Sequence, residues 1–254
     1  MCGIAGSFAY HPAASRINIP ELITIRDAMA ARGPDGAGLW QNESGRIALA
    51  HRRLAIIDLN TEADQPMVSA NNRFHLVFNG EIYNYRELRQ SLEKTGFRFR
   101  THSDTEVLLE LFAQQGPAML SRLRGMFALA IWDSEKNQLT FARDPYGIKP
   151  LYVADDGWTI RFASQVKALS TSAAISKQIE PAAIIGFCLF GSVPEPFTWR
   201  QAIRAVPAGC YQIADSTGLR EPVAYKTLAS CFSRNQSDTQ DGQARVRAAV
   251  RHAD

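Results

Sequence analysis

Cysteines are few in this sequence, and long apolar runs are missing from it. The four cysteines, Cys2, Cys188, Cys210 and Cys231, lie far apart and form no CxxC pair. This spacing is unlike a disulfide framework and favours a reducing, cytoplasmic compartment. The longest apolar stretch, residues 181–191, is shorter than the ~20 residues that a membrane helix needs, so it predicts a buried helix. No basic segment precedes an apolar one near the start, and no secretory signal is indicated.

Blocks of like charge are also missing. The 28 basic and 25 acidic side chains give a net charge of +3 and are scattered along the chain. This distribution lacks the electrostatic footprint of a nucleic-acid-binding protein. With 254 residues, 46% of them hydrophobic, the chain has ample material for a buried core in one large domain, or in one and a half ordinary ones.

The first chemically informative feature is a thiol at the second position, in Met1-Cys2-Gly3-Ile4. If Met1 is removed, Cys2 carries a sulfur nucleophile (pKa about 8.5) and an α-amine (pKa about 7.7 to 8.0) on one residue. Near neutral pH such an amine is partly unprotonated and can take the thiol proton without a separate histidine. The alternative is an inert, buried thiol at the start of a first strand.

The order of the predicted elements indicates a layered fold. Long apolar strands pair as hairpins, and helical patterns lie between them, which favours two sheets packed face to face and covered by helices. The patterns predict helices at 21–31, 85–95 and 107–115, and hairpins joining 126–133 to 139–144 and 151–154 to 159–163.

Polar residues lie at the ends of the predicted helix 107–115 and of two further predicted strands, 51–58 and 74–78. Arg53 is near the start of an apolar strand, where it forms either a solvated edge or a planar fork for a carboxylate. Asn79 and Gly80 end the strand 74–78, either as a hairpin turn or as a glycine turn that points an amide and a backbone N–H at a developing oxyanion. Asp104 belongs to a helix start that resembles a capping box, or its carboxylate faces a bound ammonium group.

Seven motifs occur together in one order, and the set resembles the glutaminase domain of the asparagine synthetase family over about residues 2–225. They are Met1-Cys2-Gly3-Ile4, Arg32-Gly33-Pro34-Asp35, His51-Arg52-Arg53-Leu54, Asn79-Gly80-Glu81-Ile82-Tyr83-Asn84, Ser103-Asp104, Gly125-Met126-Phe127-Ala128 and residues 143–152. The resemblance implies a class II glutamine amidotransferase of the N-terminal-nucleophile type, with an α+β fold arranged as a four-layer αββα sandwich.

Two positions refine the resemblance. Phe78 precedes the Asn-Gly pair, whereas the related phosphoribosyl and hexosamine transferases typically carry a histidine there. Gln165 stands where the family usually has glutamate, outside the glutamine pocket of the family.

The resemblance also implies a role for each candidate residue. Cys2 would attack the side-chain carboxamide of L-glutamine, and Asn79 and Gly80 would hold the oxyanion. The remaining pocket residues would bind the α-carboxylate, accept from the α-ammonium, or line the site with backbone. These are Arg53 for the carboxylate, Asp104 and Glu81 for the ammonium, and Leu54, Ala55, Ile56 and Ile57 for the lining. No cofactor or metal is implied for this half-reaction.

In the family, ammonia passes to a synthetase domain that uses ATP and magnesium at a Ser-Gly-Gly-x-Asp-Ser loop. This sequence contains no such loop. We therefore expect residues 226–254 to be a linker and the start of a truncated or missing synthetase domain, supplied in cis or trans. The chain would be a truncated product, an excised fragment or half of a split enzyme, and it could form a homodimer.

Two alternatives remain open. The ammonia could serve a different acceptor, or the chain could be a silent docking or regulatory module. The joint presence of Cys2, Arg53, Asn79, Gly80 and Asp104 argues against a silent module, because such a module has no physical need for all five.

Overall fold

The computed structural model describes residues 1–55 and 61–227. Its strands are β1 Gly3–Ala9, β2 Gly36–Gln41, β3 Ile47–Arg53, β4 Met67–Val68, β5 Phe74–Ile82, β6 Gly125–Asp133, β7 Gln138–Arg143, β8 Tyr152–Asp155, β9 Thr159–Ala163, β10 Arg204–Ala205, β11 Cys210–Asp215, β12 Gly218–Leu219 and β13 Val223–Ala224. Its α-helices are α1 Ile19–Asp27, α2 Tyr85–Lys94, α3 Asp104–Gln115, α4 Val166–Leu169 and α5 Pro181–Phe190. Short 3-10 helices occupy Ala30–Arg32, Thr61–Ala63 and Gly116–Arg122.

The strands form two antiparallel sheets. The first has the order β10-β8-β9-β1-β3-β2, so β1 lies between β9 and β3 near its centre. The second has the order β12-β11-β7-β6-β5-β4, and β13 pairs with β11. Both predicted hairpins, β6 with β7 and β8 with β9, are confirmed.

Strand β6 separates two of the three hydrophobic cores. Its residues Phe127, Leu129 and Ile131 pack toward α2 and α3, whereas its alternate residues Ala128, Ala130 and Trp132 pack between the sheets. Because successive side chains on a strand point to opposite faces, an uninterrupted apolar strand can fill both cores.

A third core lies on the outer face of the first sheet. Leu22 and Ile25 of α1 pack there with Leu169 of α4 and with small residues of the sheet such as Ala5 and Ala48. The layers are therefore helix, sheet, sheet and helix, and the predicted αββα sandwich is confirmed.

The prediction of a buried helix at 181–191 is only half right. The helix forms as α5, but Ile185, Leu189 and Phe190 are 60%, 69% and 73% exposed. Only Ala183 and Gly186 of this helix are buried, and a Cβ on Gly186 would lie 2.2 Å from the Pro194 side chain. The helix is apolar all round, so its sequence could not indicate which side faces solvent.

Candidate active site

A pocket of about 150 Å³ opens where the start of β1, the end of β3, the end of β5 and the start of α3 meet. Eight of the ten predicted site residues line it: Cys2, Arg53, Leu54, Ala55, Asn79, Gly80, Glu81 and Asp104. Ile56 and Ile57 lie outside the described residues. The pairing of β1 with β3, together with the packing of β5 against β1, β3 and α3, thus brings together residues that are up to about a hundred positions apart in sequence.

Cys2 lies one residue before β1 and is fixed against the end of β3. The Leu54 N–H points at its Sγ at 3.4 Å, the Sγ donates to the Leu54 carbonyl at 3.7 Å, and Arg32 Nε donates to the Cys2 carbonyl at 3.0 Å. Met1 also lines the pocket, and burial lowers the pKa of its amine. While Met1 is present, the nitrogen of Cys2 is an amide and has no basic lone pair.

The Asn79-Gly80 pair does not form a turn. Strand β5 runs through it to Ile82, with Asn79 opposite Ala128 and Gly80 opposite Phe127. The turn predicted there is wrong because β6 continues to pair along this whole segment. The glycine is needed because a Cβ at position 80 would lie 2.3 Å from the Met126 carbonyl oxygen.

Two hydrogen-bond donors on this part of β5 face the pocket, namely the side-chain amide of Asn79 and the backbone N–H of Gly80. Asn79 is 1% exposed, and its Nδ2 has no hydrogen-bond partner in the described part of the chain. The Phe78 N–H bonds to Gln65 Oε1 and the Ile82 N–H to Asp104 Oδ2, and both acceptor residues line the pocket. Because N–H direction alternates along a strand, the N–H of Gly80 points the same way as these two.

Asp104 is a buried carboxylate at the first position of α3, 4% exposed. Burial raises its pKa to about 6, and the charge of Glu81 adds to the effect, while the hydrogen bond from Ile82 opposes it. Ser103 caps the helix through a bond from the Thr105 N–H. The predicted capping box is wrong in its second half, since Glu106 instead accepts from the Thr101 N–H at 2.7 Å.

Arg53 ends β3, which is one continuous strand from Ile47, so this arginine stands at the exit of the strand rather than at its start. Its guanidinium makes an ion pair of 2.5 Å with Asp64, a residue that is about half exposed. The next two residues, Leu54 and Ala55, also line the pocket, and the Ala55 N–H donates to Asp35 Oδ2 at 2.9 Å. The site therefore has a cationic wall at Arg53 and an anionic wall at Asp104 and Glu81.

His51 also lines the pocket, although the sequence motif that contains it predicted no role for this residue. It is 1% exposed, burial lowers its pKa to about 3, and its Nε2 has no partner among residues 1–55 and 61–227. A neutral imidazole therefore lies against the site. Gln65 and Lys149 also line the pocket; Gln65 belongs to none of the motifs, and Lys149 was part of a motif without a role.

A search of the described residues finds no group of three or more histidine, cysteine or acidic side chains that could hold a metal ion. None of the helices in that part of the chain is long and apolar enough to cross a membrane.

Comparison with known proteins identifies the family. Residues 1–225 match the glutamine amidotransferase domain. Over 210 residues the chain is 40% identical to asparagine synthetase [glutamine-hydrolyzing] 1 of Bacillus subtilis (strain 168), covering 82% of this chain and 33% of that protein. It is also 38% identical over 177 residues to the amidase chry2 of Gibberella zeae, covering 66% of this chain and 26% of that protein.

A solved structure gives the same fold. The glutamine phosphoribosylpyrophosphate amidotransferase of B. subtilis superposes with a TM-score of 0.65 at 24% identity, covering 89% of this chain and 50% of that one. Our chain spans about a third of the length of the curated relatives it matches. It belongs to the glutamine amidotransferase domain family, class II, and is similar to the N-terminal part of glutamine-hydrolysing asparagine synthetases.

Proposed function

We propose that this domain hydrolyses L-glutamine to glutamate and ammonia, with Cys2 as the nucleophile. The observation that carries the proposal is the buried Asn79 amide, whose Nδ2 lacks a partner in the described chain while lying in the same pocket as the Cys2 thiol. A buried donor without a partner costs free energy unless a ligand satisfies it. Nearly all the residues that the family uses for this chemistry lie around that donor.

The reaction begins once Met1 has been removed. The freed α-amine of Cys2 takes the thiol proton, and the sulfur attacks the side-chain carbonyl carbon of glutamine. The Asn79 amide and the Gly80 N–H stabilise the resulting oxyanion. The amine returns its proton to the leaving nitrogen, the C–N bond breaks, and ammonia departs. Water then attacks the thioester, which releases glutamate and restores the thiol.

The two walls of the pocket suit the two charges of a free amino acid. We assign the α-carboxylate to Arg53, which would share its fork between the substrate and Asp64. The α-ammonium goes to Asp104 and Glu81, and Leu54 and Ala55 line the pocket next to Arg53. Charges at a fixed spacing select free glutamine over a glutamine side chain in a peptide.

Glutamate release by the purified chain tests the proposal, after intact-mass measurement has established that Met1 is absent. We expect turnover of L-glutamine and none of Nα-acetyl-glutamine, which lacks the ammonium charge. Absence of turnover in a folded protein without Met1 would favour the silent docking module.

Replacing Asp104 with asparagine gives a second prediction, in which stability rises and substrate affinity falls. The rise in pKa from 3.8 to about 6 corresponds to roughly 3 kcal/mol of cost for the ionised form at neutral pH. Because the folded-state pKa is the higher one, this carboxyl favours the folded state most at low pH and loses that contribution as pH rises through about 6. Asp104→Asn removes the charge, so urea unfolding at pH 7 should give up to about 3 kcal/mol more stability.

The same variant should bind glutamine at least about tenfold more weakly at pH 7, because the ammonium loses its charged partner. Calorimetry in a Cys2→Ala background avoids turnover of glutamine during the titration. In the parent, affinity should fall as pH drops below about 6 and Asp104 becomes protonated; in the variant this dependence should disappear. A variant that binds glutamine as well as the parent would contradict the assignment.

We further propose that the glutaminase domain extends over residues 2–225 and that 226–254 begin a connection to an ATP-dependent synthetase domain, in cis or trans. The match over residues 1–225 and the threefold length of the relatives support this division.

Hydrolysis itself needs no cofactor, and ATP and magnesium would belong to the synthetase. A reactive thiol at the site suits a cytoplasmic location. Similarity to the amidase chry2 leaves the ammonia acceptor open, since it is nearly as high as that to asparagine synthetase.

The exposed face of α5 supports an interface with such a synthetase domain. Exposed side chains as large as Leu189 and Phe190 are typical of surfaces that a partner covers. We expect the isolated chain to sediment as a monomer at micromolar concentration and Phe190→Glu to hydrolyse glutamine normally, because no α5 residue lines the pocket. A dimer that this substitution dissociates would instead assign α5 to a homodimer.

A further inference from the structure

The motif at residues 143–150 builds a rigid loop beside the active site. Asp144 is fully buried, and its carboxylate accepts from the backbone N–H groups of Tyr146, Ile148, Lys149 and Phe127 at 2.9 to 3.2 Å. Four such bonds to one carboxylate fix the loop on β6.

Arg143 holds the same loop from the other side. Its guanidinium, in a side chain that is 4% exposed, donates to the carbonyls of Gly147, Lys149 and Val206 at 2.7 to 2.9 Å. Gly147 has φ +64, and a Cβ there would lie 2.9 Å from this guanidinium, so the turn requires glycine. The loop thus has one defined conformation.

In this conformation apolar and aromatic side chains are exposed while a lysine side chain is buried, which is the reverse of the usual pattern. Tyr146 and Ile148 are 60% and 54% exposed, whereas Lys149 is 5% exposed and lines the active-site pocket. A lysine is almost never this buried without a charge to interact with. The buried hydrogen bonds of the loop therefore hold it in a conformation in which the Lys149 side chain is buried and the Ile148 side chain is exposed.

Lys149 lines the same pocket as Met1, Cys2 and Glu81. Burial lowers the pKa of Lys149, and the charge of Arg32 lowers it further, whereas the negative charges of Asp144, Glu81 and a Cys2 thiolate oppose this fall. Under the proposed function the reacting end of the bound amino acid lies at Cys2, in the same pocket as this cation.

We propose that Lys149 is a specificity residue that stabilises negative charge on the side-chain carboxyl group of the bound amino acid, so that the pocket holds the product glutamate through its γ-carboxylate. The inference rests on the proposed function, because that function places the side-chain carbonyl carbon at Cys2. The α-carboxylate is assigned to Arg53 on another wall, so the two cations would interact with different ends of the ligand.

L-Glutamate and L-glutamine test this directly, since they have nearly the same shape and differ in charge only at the γ-position. Calorimetry on the Cys2→Ala protein, which cannot turn glutamine over, gives the two dissociation constants. We expect Lys149→Met, which keeps the apolar stem, to raise the glutamate constant about tenfold and the glutamine constant less than about twofold. Lys149→Arg should restore glutamate binding.

Lys167→Met is the matched control, because Lys167 is exposed on α4, outside the pocket, and should leave both constants unchanged. If Lys149→Met leaves the ratio of the two constants as in the parent, the inference is wrong, and a parallel loss of both affinities would assign Lys149 a purely structural role. A parent that binds neither amino acid would overturn the glutamine pocket itself, whereas glutamine binding with an unchanged ratio overturns only the role of Lys149.

Discussion

Replacing Cys2 with alanine should reduce glutamate release by a factor of about 10⁴ or more, because no covalent intermediate can then form. The loss should appear in kcat, and glutamine should still bind, since Arg53, Asp104 and Glu81 are untouched. Coupled assay of glutamate at saturating glutamine measures the effect. The substitution removes a small side chain at a half-buried position, so the thermal unfolding midpoint should change little.

Two controls separate the thiol from its proposed base. Cys210→Ala removes another half-buried thiol, one whose pKa is raised by burial, and should leave turnover unchanged. Inserting one alanine before Cys2 keeps the sulfur but moves the free α-amine to the preceding residue, and we expect activity to be lost. Full activity in the insertion variant would show that another group takes the thiol proton, with the neutral His51 the first to test.

The ordered set of motifs, through its resemblance to the family, predicted eight residues that meet in the site, but it missed Gln65 and gave His51 and Lys149 no role. Cys2, Asn79 and Asp104 were chosen for the types of their side chains and for their neighbours, and they share a pocket. The layered fold followed from alternating apolar strands and intervening helices. Local pattern was enough for the layered fold because strand period is a property of short segments, whereas the grouping of Cys2, Asn79 and Asp104 in one site followed from the family resemblance.

Properties that depend on distant neighbours could not be predicted in this way. The exposure of α5 depends on which elements pack against it, and the pairing of Arg53 with Asp64 joins residues 11 positions apart that no local period relates. The burial of Lys149 depends on the hydrogen bond that Arg143 donates to its carbonyl and on the one that its N–H donates to Asp144. Asn79-Gly80 is the clearest case, since the pair favours a turn in isolation and becomes strand only because β6 pairs alongside it.

Replacement of Asn79, which lies in this strand, should have the second large effect on catalysis. Asn79→Ala should lower kcat by about 10² to 10³ with little change in KM, because the lost hydrogen bond forms with the oxyanion and not with the ground-state amide. Asn79→Asp should be at least as damaging, since it presents a carboxylate of the same shape to a developing negative charge. Initial rates over a range of glutamine concentrations separate kcat from KM.

Stability distinguishes this catalytic role from a structural one. A buried amide with a full set of hydrogen bonds would lose about 1 to 3 kcal/mol on truncation, because its partners would be left unsatisfied. The Nδ2 of Asn79 has no partner in the described structure, so Asn79→Ala removes an unsatisfied donor and leaves no orphaned acceptor behind. We therefore expect a large fall in kcat with an unfolding free energy near that of the parent. If stability and kcat fell together, Asn79 would be holding the pocket in shape, and the oxyanion would have to be stabilised by the Gly80 N–H and other groups.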